Sequence, residues 1–483
     1  MSEKLSLQQQ NALKSFPQAL DVNSDGLNEI VQKAAVTGTD VDPETLAGVP
    51  ALRRQFLDNR VSQLSYSSQA MVFFSKLPKL KSASTVVEYT TFDRHGETGH
   101  SMFDTEVGLS APSDPAMHRR LVRTKNLSAT RSVSLISQAV DNIAQPVQIY
   151  TDDAIVSVVK GIEWASFYGD KSLTDEVQDN MGGGEGLEFN GLTQQIDPNN
   201  VIDARGADLT PELLNTACLY VAKGYGTPTD AFMPLGVLSK FSTSFIPNAR
   251  YFSNGIGGQN TNSVTAGLNV TQWSSTISQI ELNGSAVMEN DKFLDTQFLG
   301  GQNAPEAPAV ATPTVKETDN AKFTASDIGT VSYRVTLWSD QAQSVYTEVN
   351  AALDKVDSSI SLAITVPATY TATPKFASIY RLDNASGQYY LINRVGVNQS
   401  VNGVITFVDR NENIPATVDV FVGEVNNLTI RLYELLPLMS LPLPTQNKTL
   451  AWSVIWNGAL ALIAPKRFAR IKNVGYTPAV PQF

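Results

Sequence analysis

The pattern of apolar and polar residues predicts a long amphipathic helix in the first half of the chain. Between Thr151 and Tyr168 apolar side chains recur at intervals of three and four residues. They are Ile155, Val158, Val159, Ile162 and Ala165. Thr151 is suited to cap this helix, and Gly169 is suited to end it. Asp152 and Asp153 would then lie where the helix dipole favours negative charge.

A second helix is predicted from Pro211 to Lys223. Thr210 is its capping residue, proline occupies its first turn, and Gly224 lies just beyond its end. A further amphipathic helix is predicted from Pro50 onward. Residues 1–50 are polar and are interrupted by glycine and proline, which predicts an arm with short helices and little regular order.

Residues 82–135 change to the β-branched and aromatic pattern that is typical of strands. A first strand is predicted over 85–92, a polar turn over 93–99, and a second strand-like run over 121–135. Neither face of this hairpin is apolar enough to join a core, and an isolated two-stranded hairpin is only marginally stable in water. We therefore expect it to lie on another subunit.

A change of composition near residue 300 predicts a separate domain. A linker rich in proline and alanine occupies 304–313, and six short strands follow with turn signals between them. They are predicted at Val331–Trp338, Ile360–Val366, Phe376–Tyr380, Tyr389–Val395, Val404–Val408 and Asp419–Val425. Because no helix interrupts them, they predict a β-sandwich of immunoglobulin or fibronectin type. Mixed α/β character returns after 427, so the sandwich is predicted to be an insertion.

Composition and charge exclude several classes of protein. The 483 residues are 42% apolar and 17% charged, with a net charge of −11 and one cysteine. That length predicts about two to four domains, and one cysteine allows no internal disulfide. An acidic chain lacks the basic face of a nucleic-acid reader, and no signal or membrane segment is found, which predicts a soluble product. The low charged fraction favours a surface covered by copies of the same chain.

Histidine, glycine and cysteine residues offer little evidence of a chemical site. The three histidines are close in sequence, but their spacing fits no helical pair of metal ligands. They are His95, His100 and His118. The glycine clusters at 182–186 and 255–258 lack the residues of a phosphate-binding loop. Cys218 lies on the second predicted helix, where it is expected to be a small buried side chain.

One carboxylate suggests an alternative function. Glu163 stands beside Trp164, with Asp170 and Glu176 nearby, which is similar to the carboxylate pair and aromatic platform of a glycosidase. Glu163 also suits the polar edge of an amphipathic helix. A carbohydrate-active protein with an immunoglobulin-like accessory module is therefore one candidate function.

Two small basic patches are better suited to acidic neighbours than to nucleic acid. The first consists of Arg119, Arg120, Arg123 and Lys125, and the second of Lys466, Arg467, Arg470 and Lys472. Asp152 and Asp153 are among the expected acidic partners. Since no catalytic constellation is found, the pattern of arms, one long helix and an inserted sandwich is typical of a structural building block.

Six segments of the chain carry a family resemblance. They are 93–101 (DRHGETGHS), 162–170 (IEWASFYGD), 186–192 (GLEFNGL), 200–206 (NVIDARG), 224–234 (GYGTPTDAFMP) and 456–473 (WNGALALIAPKRFARIKN). These segments resemble the major capsid proteins of large contractile-tailed phages of Gram-positive hosts, the Twort-like group. The resemblance extends from about 51 to 474.

The resemblance implies an α+β chain with the Hong Kong 97 bacteriophage capsid fold and an inserted all-β immunoglobulin-like sandwich. The implied divisions are an N-terminal arm and helix at 1–75, an extended hairpin loop at 76–135, a peripheral domain with a spine helix over 151–168 at 136–190, an axial domain at 191–302, the insertion at 303–427, and a return to the axial and peripheral domains at 428–483. The sandwich would stand on the outer surface.

The implied function is that of a structural major capsid protein, with no enzymatic activity, cofactor or metal. The alternatives are the carbohydrate-active protein described above and another virion component, such as a tail or decoration protein. Copies would form hexamers and pentamers of an icosahedral head that encloses double-stranded DNA without reading its sequence. Further implied partners are a portal and decoration or scaffold proteins; the insertion is a candidate for host-surface binding. No membrane is involved, and assembly in the host cytoplasm would place the protein in the virion. The predicted subunit-interface residues are Asp93, Arg94, His95, Glu97, His100, Arg119, Arg120, Arg123, Asp152, Asp153, Lys466, Arg467 and Arg470.

Overall fold

A computed structural model of the chain defines the fold. It describes residues 71–94, 106–108, 114–139, 145–173, 187–245, 270–288, 294, 299–301, 303–339, 342–367, 372–444 and 448–476. Several predictions lie outside these residues: the N-terminal arm, the helix from Pro50, the turn beyond residue 94 and both glycine clusters.

The described residues form six α-helices. They are α1 (Val72–Lys76), α2 (Leu135–Ala139), α3 (Pro146–Tyr168), α4 (Leu192–Gln195), α5 (Pro211–Lys223) and α6 (Leu235–Ser244). Helix α5 has the bounds that the sequence predicts, and the Thr210 hydroxyl accepts a hydrogen bond from the Leu213 N–H, 3.3 Å away. No helix of the described residues is long and apolar enough to cross a membrane.

The start of helix α3 corrects the prediction of a helix over 151–168. The helix begins five residues earlier, at Pro146, because proline in the first turn needs no hydrogen-bond acceptor for its nitrogen. Thr151 therefore caps nothing, and its hydroxyl donates to the Val147 carbonyl oxygen at 2.7 Å. Asp152 and Asp153 lie in the second turn, beyond the first turn where the helix dipole acts most strongly.

The strands form five sheets in the described residues. The strands are β1 (Lys79–Lys81), β2 (Val86–Arg94), β3 (Ala116–Arg123), β4 (Lys125–Ser134), β5 (Val201–Asp203), β6 (Asp230–Pro234), β7 (Gln272–Ser274), β8 (Gln279–Ser285), β9 (Ala309–Val310), β10 (Thr314–Lys316), β11 (Gly329–Trp338), β12 (Thr347–Leu353), β13 (Ser359–Thr365), β14 (Phe376–Asp383), β15 (Gln388–Gly396), β16 (Val404–Asp409), β17 (Thr417–Gly423), β18 (Ile430–Pro442), β19 (Thr449–Leu462) and β20 (Phe468–Gly475).

A four-stranded sheet with the order β1-β18-β19-β4 supports helix α3. Val158, Ile162 and Ala165 face its core as the sequence predicts, and Ala154 takes the next inward position along the helix. The other two residues of the predicted stripe, Ile155 and Val159, are half-buried. A helix laid on a sheet in this way buries the apolar side of each element.

A six-stranded sheet with the order β5-β20-β17-β6-β8-β7 joins two cores. Every residue of β6 and β17 is buried, as expected for strands covered on both faces. One face contributes Phe232, Phe421 and Phe468 to the core beneath α3. The other face contributes residues such as Met233 and Val420 to a core closed by α5 and α6.

The four-stranded sheet, the six-stranded sheet and the helices packed on them are called the base below. A two-stranded hairpin of β2 and β3 extends from this base. Its root is fixed where the Thr124 N–H donates to the Thr85 carbonyl oxygen at 2.9 Å. The predicted single run over 121–135 is wrong, because it breaks at Thr124. The second part is β4, which pairs with β19 in the four-stranded sheet, and its alternate residues Leu127, Ala129 and Val133 pack against the core.

Two further sheets lie between residues 309 and 409 and enclose a core of their own. One has β10, β13 and β16 in order with β9 beside β13, and the other has the order β12-β11-β14-β15. Five of the six predicted strands lie here. The sixth strand, predicted over 419–425, exists but belongs to another sheet: it is β17, which pairs with β6 and β20 in the six-stranded sheet. The chain therefore re-enters the six-stranded sheet at residue 417 and not after 427, as the sequence predicts.

Side chains of β15 and of the base fasten these two sheets. Arg394 donates to the Tyr168 carbonyl oxygen at 2.8 Å and lies 4.5 Å from the ring centroid of Trp164. Arg205 donates to the carbonyl oxygens of Asn411 and Lys322, at 3.3 Å in both cases. The contacts join residues far apart in sequence, so the two sheets are held by the folded base and not by their linkers alone.

Two glycines of helix α3 give a matched test of its packing. A Cβ on Gly169 would lie 2.3 Å from the Phe189 carbonyl oxygen, whereas a Cβ on Gly161 would lie 3.1 Å from a terminal methyl of Leu127. We expect Gly169→Ala to lower the free energy of unfolding by about 1–3 kcal/mol, because backbone atoms cannot move aside. Gly161→Ala should change it far less, since helix propensity offsets a yielding contact. Urea unfolding of the two variants measures this difference; equal midpoints would contradict the packing.

Candidate functional site

The hairpin presents apolar side chains that the chain itself does not cover. Residues 117–121 of β3 are all exposed, and Met117 and Leu121 retain 56% and 53% of their accessible surface. No further strand of the described residues pairs with β2 or β3. Because such a hairpin gains little stability from the rest of the chain, its exposed surface is suited to contact another molecule.

Basic residues of β3 lie along the root of the hairpin. Arg119 forms a cross-strand ion pair with Glu88 of β2. Arg120 and Arg123 line a cleft that they share with Glu188. Asp93 and Arg94 are at the far end of β2, where Arg94 is paired in register with Ala116. The remaining predicted tip residues, His95, Glu97 and His100, lie outside the described residues.

The two acidic residues predicted on helix α3 differ in their contacts within the chain. Asp153 binds Arg131 of β4, with the carboxylate 2.8 Å from Nε and 2.7 Å from Nη2. Asp152 is exposed one residue earlier. The helix-to-sheet packing therefore already uses Asp153 within the chain, and Asp152 is the better candidate for an external contact.

The second basic patch is also partly paired within the chain. Arg467 is 3.4 Å from Glu424, and Arg470 is 3.1 Å from Asp419. Lys466 is exposed. Burial of the acidic partners favours the pairing, because a desolvated carboxylate needs a nearby cation or donor. Arg470 lies in β20 and its partner Asp419 in the neighbouring β17, and Lys466 and Arg467 directly precede β20.

Glu163 forms buried hydrogen bonds to two other elements, which sequence reasoning does not identify. Its carboxylate is fully buried, and it accepts hydrogen bonds from the Phe74 N–H at 3.3 Å and the Ser285 hydroxyl at 2.9 Å. Burial raises the pKa of Glu163, and these hydrogen bonds partly oppose the increase. The carboxylate thereby satisfies backbone donors at the start of α1, which has no capping side chain of its own.

Helix α1 is fixed at both of its ends. The Phe73 ring stacks on Phe167 with centroids 4.6 Å apart and meets Phe232 edge-on at 4.7 Å. The Lys76 ammonium lies 2.7 Å from Asp230 and 2.9 Å from Glu281. Five helical residues thus connect α3 with β6 and β8. Only the paired phenylalanines at 73 and 74 hint at this in the sequence, since the helix is too short for a periodic pattern.

The chemical alternatives do not survive this geometry. A glycosidase carboxylate must reach its substrate, whereas Glu163 is enclosed by α1 and β8. Its neighbour Trp164 is covered by Arg394, and Asp170 binds Ser172 and Gln194; Glu176 lies outside the described residues. Cys218 is buried as predicted. No cluster of metal-ligating side chains occurs in the described part of the chain.

Comparison with curated proteins decides the family. The chain is 43% identical to the major capsid protein of Staphylococcus phage K over 456 residues, which cover 94% of this chain and 96% of that protein. It has the same identity and coverage with the major capsid protein of Staphylococcus phage S25-3. The chain belongs to the phage major capsid protein family. It is a structural protein of the head shell in the virion, built from many copies, and it is not an enzyme.

Comparison with solved structures finds weaker similarities. The capsid of a native GTA particle matches 90% of this capsid protein and 100% of its own chain, with 8% identity and a TM-score of 0.44. The holo-SrpI encapsulin complex from Synechococcus elongatus matches 91% and 99%, with 10% identity and a TM-score of 0.42. No family model matches the sequence. The resemblance to Twort-like capsid proteins, inferred from six sequence segments, is confirmed by the curated relatives.

The buried carboxylate predicts a dependence of stability on pH. Because the folded-state pKa of Glu163 is raised above its ordinary value of 4.5, the unfolded chain loses this proton first as the pH rises. The stability contribution is therefore complete below that value and is lost as the pH rises through the raised pKa. Glu163→Gln cannot ionise, so the stability of the wild type relative to this variant should fall as the pH rises above about 4.5.

Urea unfolding of the unassembled protein at several pH values measures this difference. Asp152→Asn changes an exposed carboxylate of the same helix and serves as the control, with the pH dependence of the wild type retained. A constant stability difference between the wild type and Glu163→Gln across the pH range would contradict the assignment.

Proposed function

We propose that copies of this chain form the hexamers and pentamers of an icosahedral head that encloses double-stranded DNA. The observation that carries the proposal is the hairpin of β2 and β3. Its root is fixed by the hydrogen bond between Thr124 and Thr85, and its side chains Met117 and Leu121 are exposed. A copy that covers this hairpin buries apolar surface which a single chain leaves in water. Closed rings of identical contacts then need no enzymatic step.

The arrangement of the sheets supports the domain divisions that the Hong Kong 97 fold implies. Helix α3 with the four-stranded sheet would be the peripheral domain and its spine helix, and the six-stranded sheet with α5 and α6 would be the axial domain. The two sheets between 309 and 409 would be the immunoglobulin-like insertion on the outer surface. The insertion would end near 416, because β17 pairs in the six-stranded sheet.

The net negative charge of the chain suits a shell that encloses DNA. A shell of subunits with a net charge of −11 repels the DNA that it encloses, so the genome is held without sequence-specific contacts. A portal and decoration or scaffold proteins would complete the head, which would assemble in the host cytoplasm. Binding of a host surface would belong to the insertion, which presents the exposed side chains Ile328 and Val401.

Replacement of the exposed hairpin residues tests the proposed contact. The double variant Met117→Ser and Leu121→Ser should fold as the wild type does, because neither side chain belongs to a core. It should need a protein concentration about tenfold higher or more for assembly, since each buried apolar side chain is worth about 1.5–3 kcal/mol. Sedimentation combined with negative-stain microscopy measures this threshold in purified protein.

The matched control lies on the insertion. Ile328 and Val401 are exposed to 48% and 73%, and the double variant Ile328→Ser and Val401→Ser should assemble at the wild-type threshold. Two results would count against the proposal. One is a wild-type protein that stays monomeric at high concentration and is missing from phage heads, and the other is equal thresholds for the hairpin variant and the wild type.

A further inference from the structure

Tyr225 occupies a backbone conformation that is unfavourable for a bulky residue. It follows the last turn of α5, and its φ is +59°, in the left-handed region that glycine adopts at little cost. Such a conformation costs on the order of 1–3 kcal/mol and persists only when the surroundings impose it. Glycines stand on both sides of Tyr225, yet the strained position itself holds an aromatic residue.

The turn is imposed by contacts of its backbone. The N–H groups of Gly224, Tyr225 and Gly226 donate to carbonyl oxygens at the end of α5, at 2.9 to 3.2 Å. A Cβ on Gly224 would lie 2.2 Å from the Lys466 carbonyl oxygen, and one on Gly226 would lie 3.0 Å from Cγ of Arg467. The turn is therefore clamped against residues 465–467, and its shape does not depend on the Tyr225 side chain.

The Tyr225 ring contributes nothing to this clamp, because 87% of its surface is exposed. A glycine at position 225 would adopt the same conformation without strain. Strain alone names no partner, since exposed Thr318 has a similar φ of +57°; what sets Tyr225 apart is the large aromatic ring that the strained turn holds in water. A rigid turn that holds an aromatic side chain in water is preorganised for binding, since little freedom remains to be lost, and tyrosine is enriched among the anchors of protein interfaces.

The surroundings of the ring indicate which partner it meets. Exposed Lys223 and Lys466 flank the turn, whereas the chain as a whole carries a net charge of −11. The surface of another copy is therefore acidic on average and complements this basic edge. Copies of the chain are also the partners that every subunit of a shell meets.

We propose that Tyr225 anchors a contact between two copies of this chain, in which the ring and the exposed Lys223 and Lys466 beside the turn meet an acidic surface of the neighbour. The contact would be separate from the one made by the hairpin, because Tyr225 lies at the end of α5 on the six-stranded-sheet side of the base. This inference rests on the proposed shell function and names one of its interfaces.

The variant Tyr225→Gly separates this role from folding. It removes the ring and relieves the backbone strain, so its urea midpoint should equal or exceed that of the wild type. Its threshold concentration for assembly should rise by roughly tenfold or more, as expected for loss of an interface anchor. Tyr225→Phe keeps the ring and should assemble close to the wild-type threshold.

Thr318→Gly is the matched control for relief of strain. Thr318 is exposed and has a φ of +57°, so this variant removes a side chain from the same backbone conformation elsewhere and should leave assembly unchanged. Assembly of Tyr225→Gly at the wild-type threshold would overturn the proposal and indicate another partner for the ring.

Self-association of the soluble protein, measured by analytical ultracentrifugation, keeps the two hypotheses distinct. A wild type that forms no shells would contradict the proposed function. In that case Tyr225 is judged on self-association: weaker association of Tyr225→Gly supports the contact, and equal association of the two proteins overturns it.

Discussion

The fold depends on a carboxylate that is removed from water. Glu163 reaches from helix α3 to the backbone of α1 and to Ser285 of β8. Burying an ionised carboxylate costs several kcal/mol, about the same order as the whole stability of many domains, unless donors replace the lost water. Glu163 is therefore tolerated only where α1 and β8 are both in position, which makes this one residue specify how three elements meet.

Helix α1 packs between the elements that Glu163 contacts and joins them into one base. Its Phe73 joins an aromatic layer with Phe167 and Phe232, so the core beneath α3 and the six-stranded sheet share one surface. The hairpin and the two sheets between 309 and 409 are attached to that base in different ways. The two sheets are fastened by Arg394 and Arg205, whereas the described strands of the hairpin are fixed mainly at their root. The exposed face of these strands therefore gains little stability from the rest of the described chain.

Local signals in the sequence were enough to predict α5, most of the insertion strands and the existence of the hairpin. They failed where the outcome depends on pairing between distant segments. The run over 121–135 looks uniform, but it is divided between two sheets because β19 pairs only with its second part. The strand over 417–423 has the same composition as the insertion strands, and its partners β6 and β20 place it in the base. Glu163 could not be recognised, since its donors are more than 80 residues away.

Several charged residues that the sequence predicts at subunit interfaces already have partners within the chain. Asp153, Arg467 and Arg470 looked suited to a neighbour, yet each is paired within its own chain. A charged side chain on a folded surface finds a partner at little cost, so its presence says little about assembly. An exposed apolar residue on a two-stranded hairpin, or an aromatic ring on a strained turn, costs free energy that the single chain does not recover. We therefore infer interfaces of this capsid protein first from such unrecovered costs, and charge then indicates which surface of a neighbour is complementary.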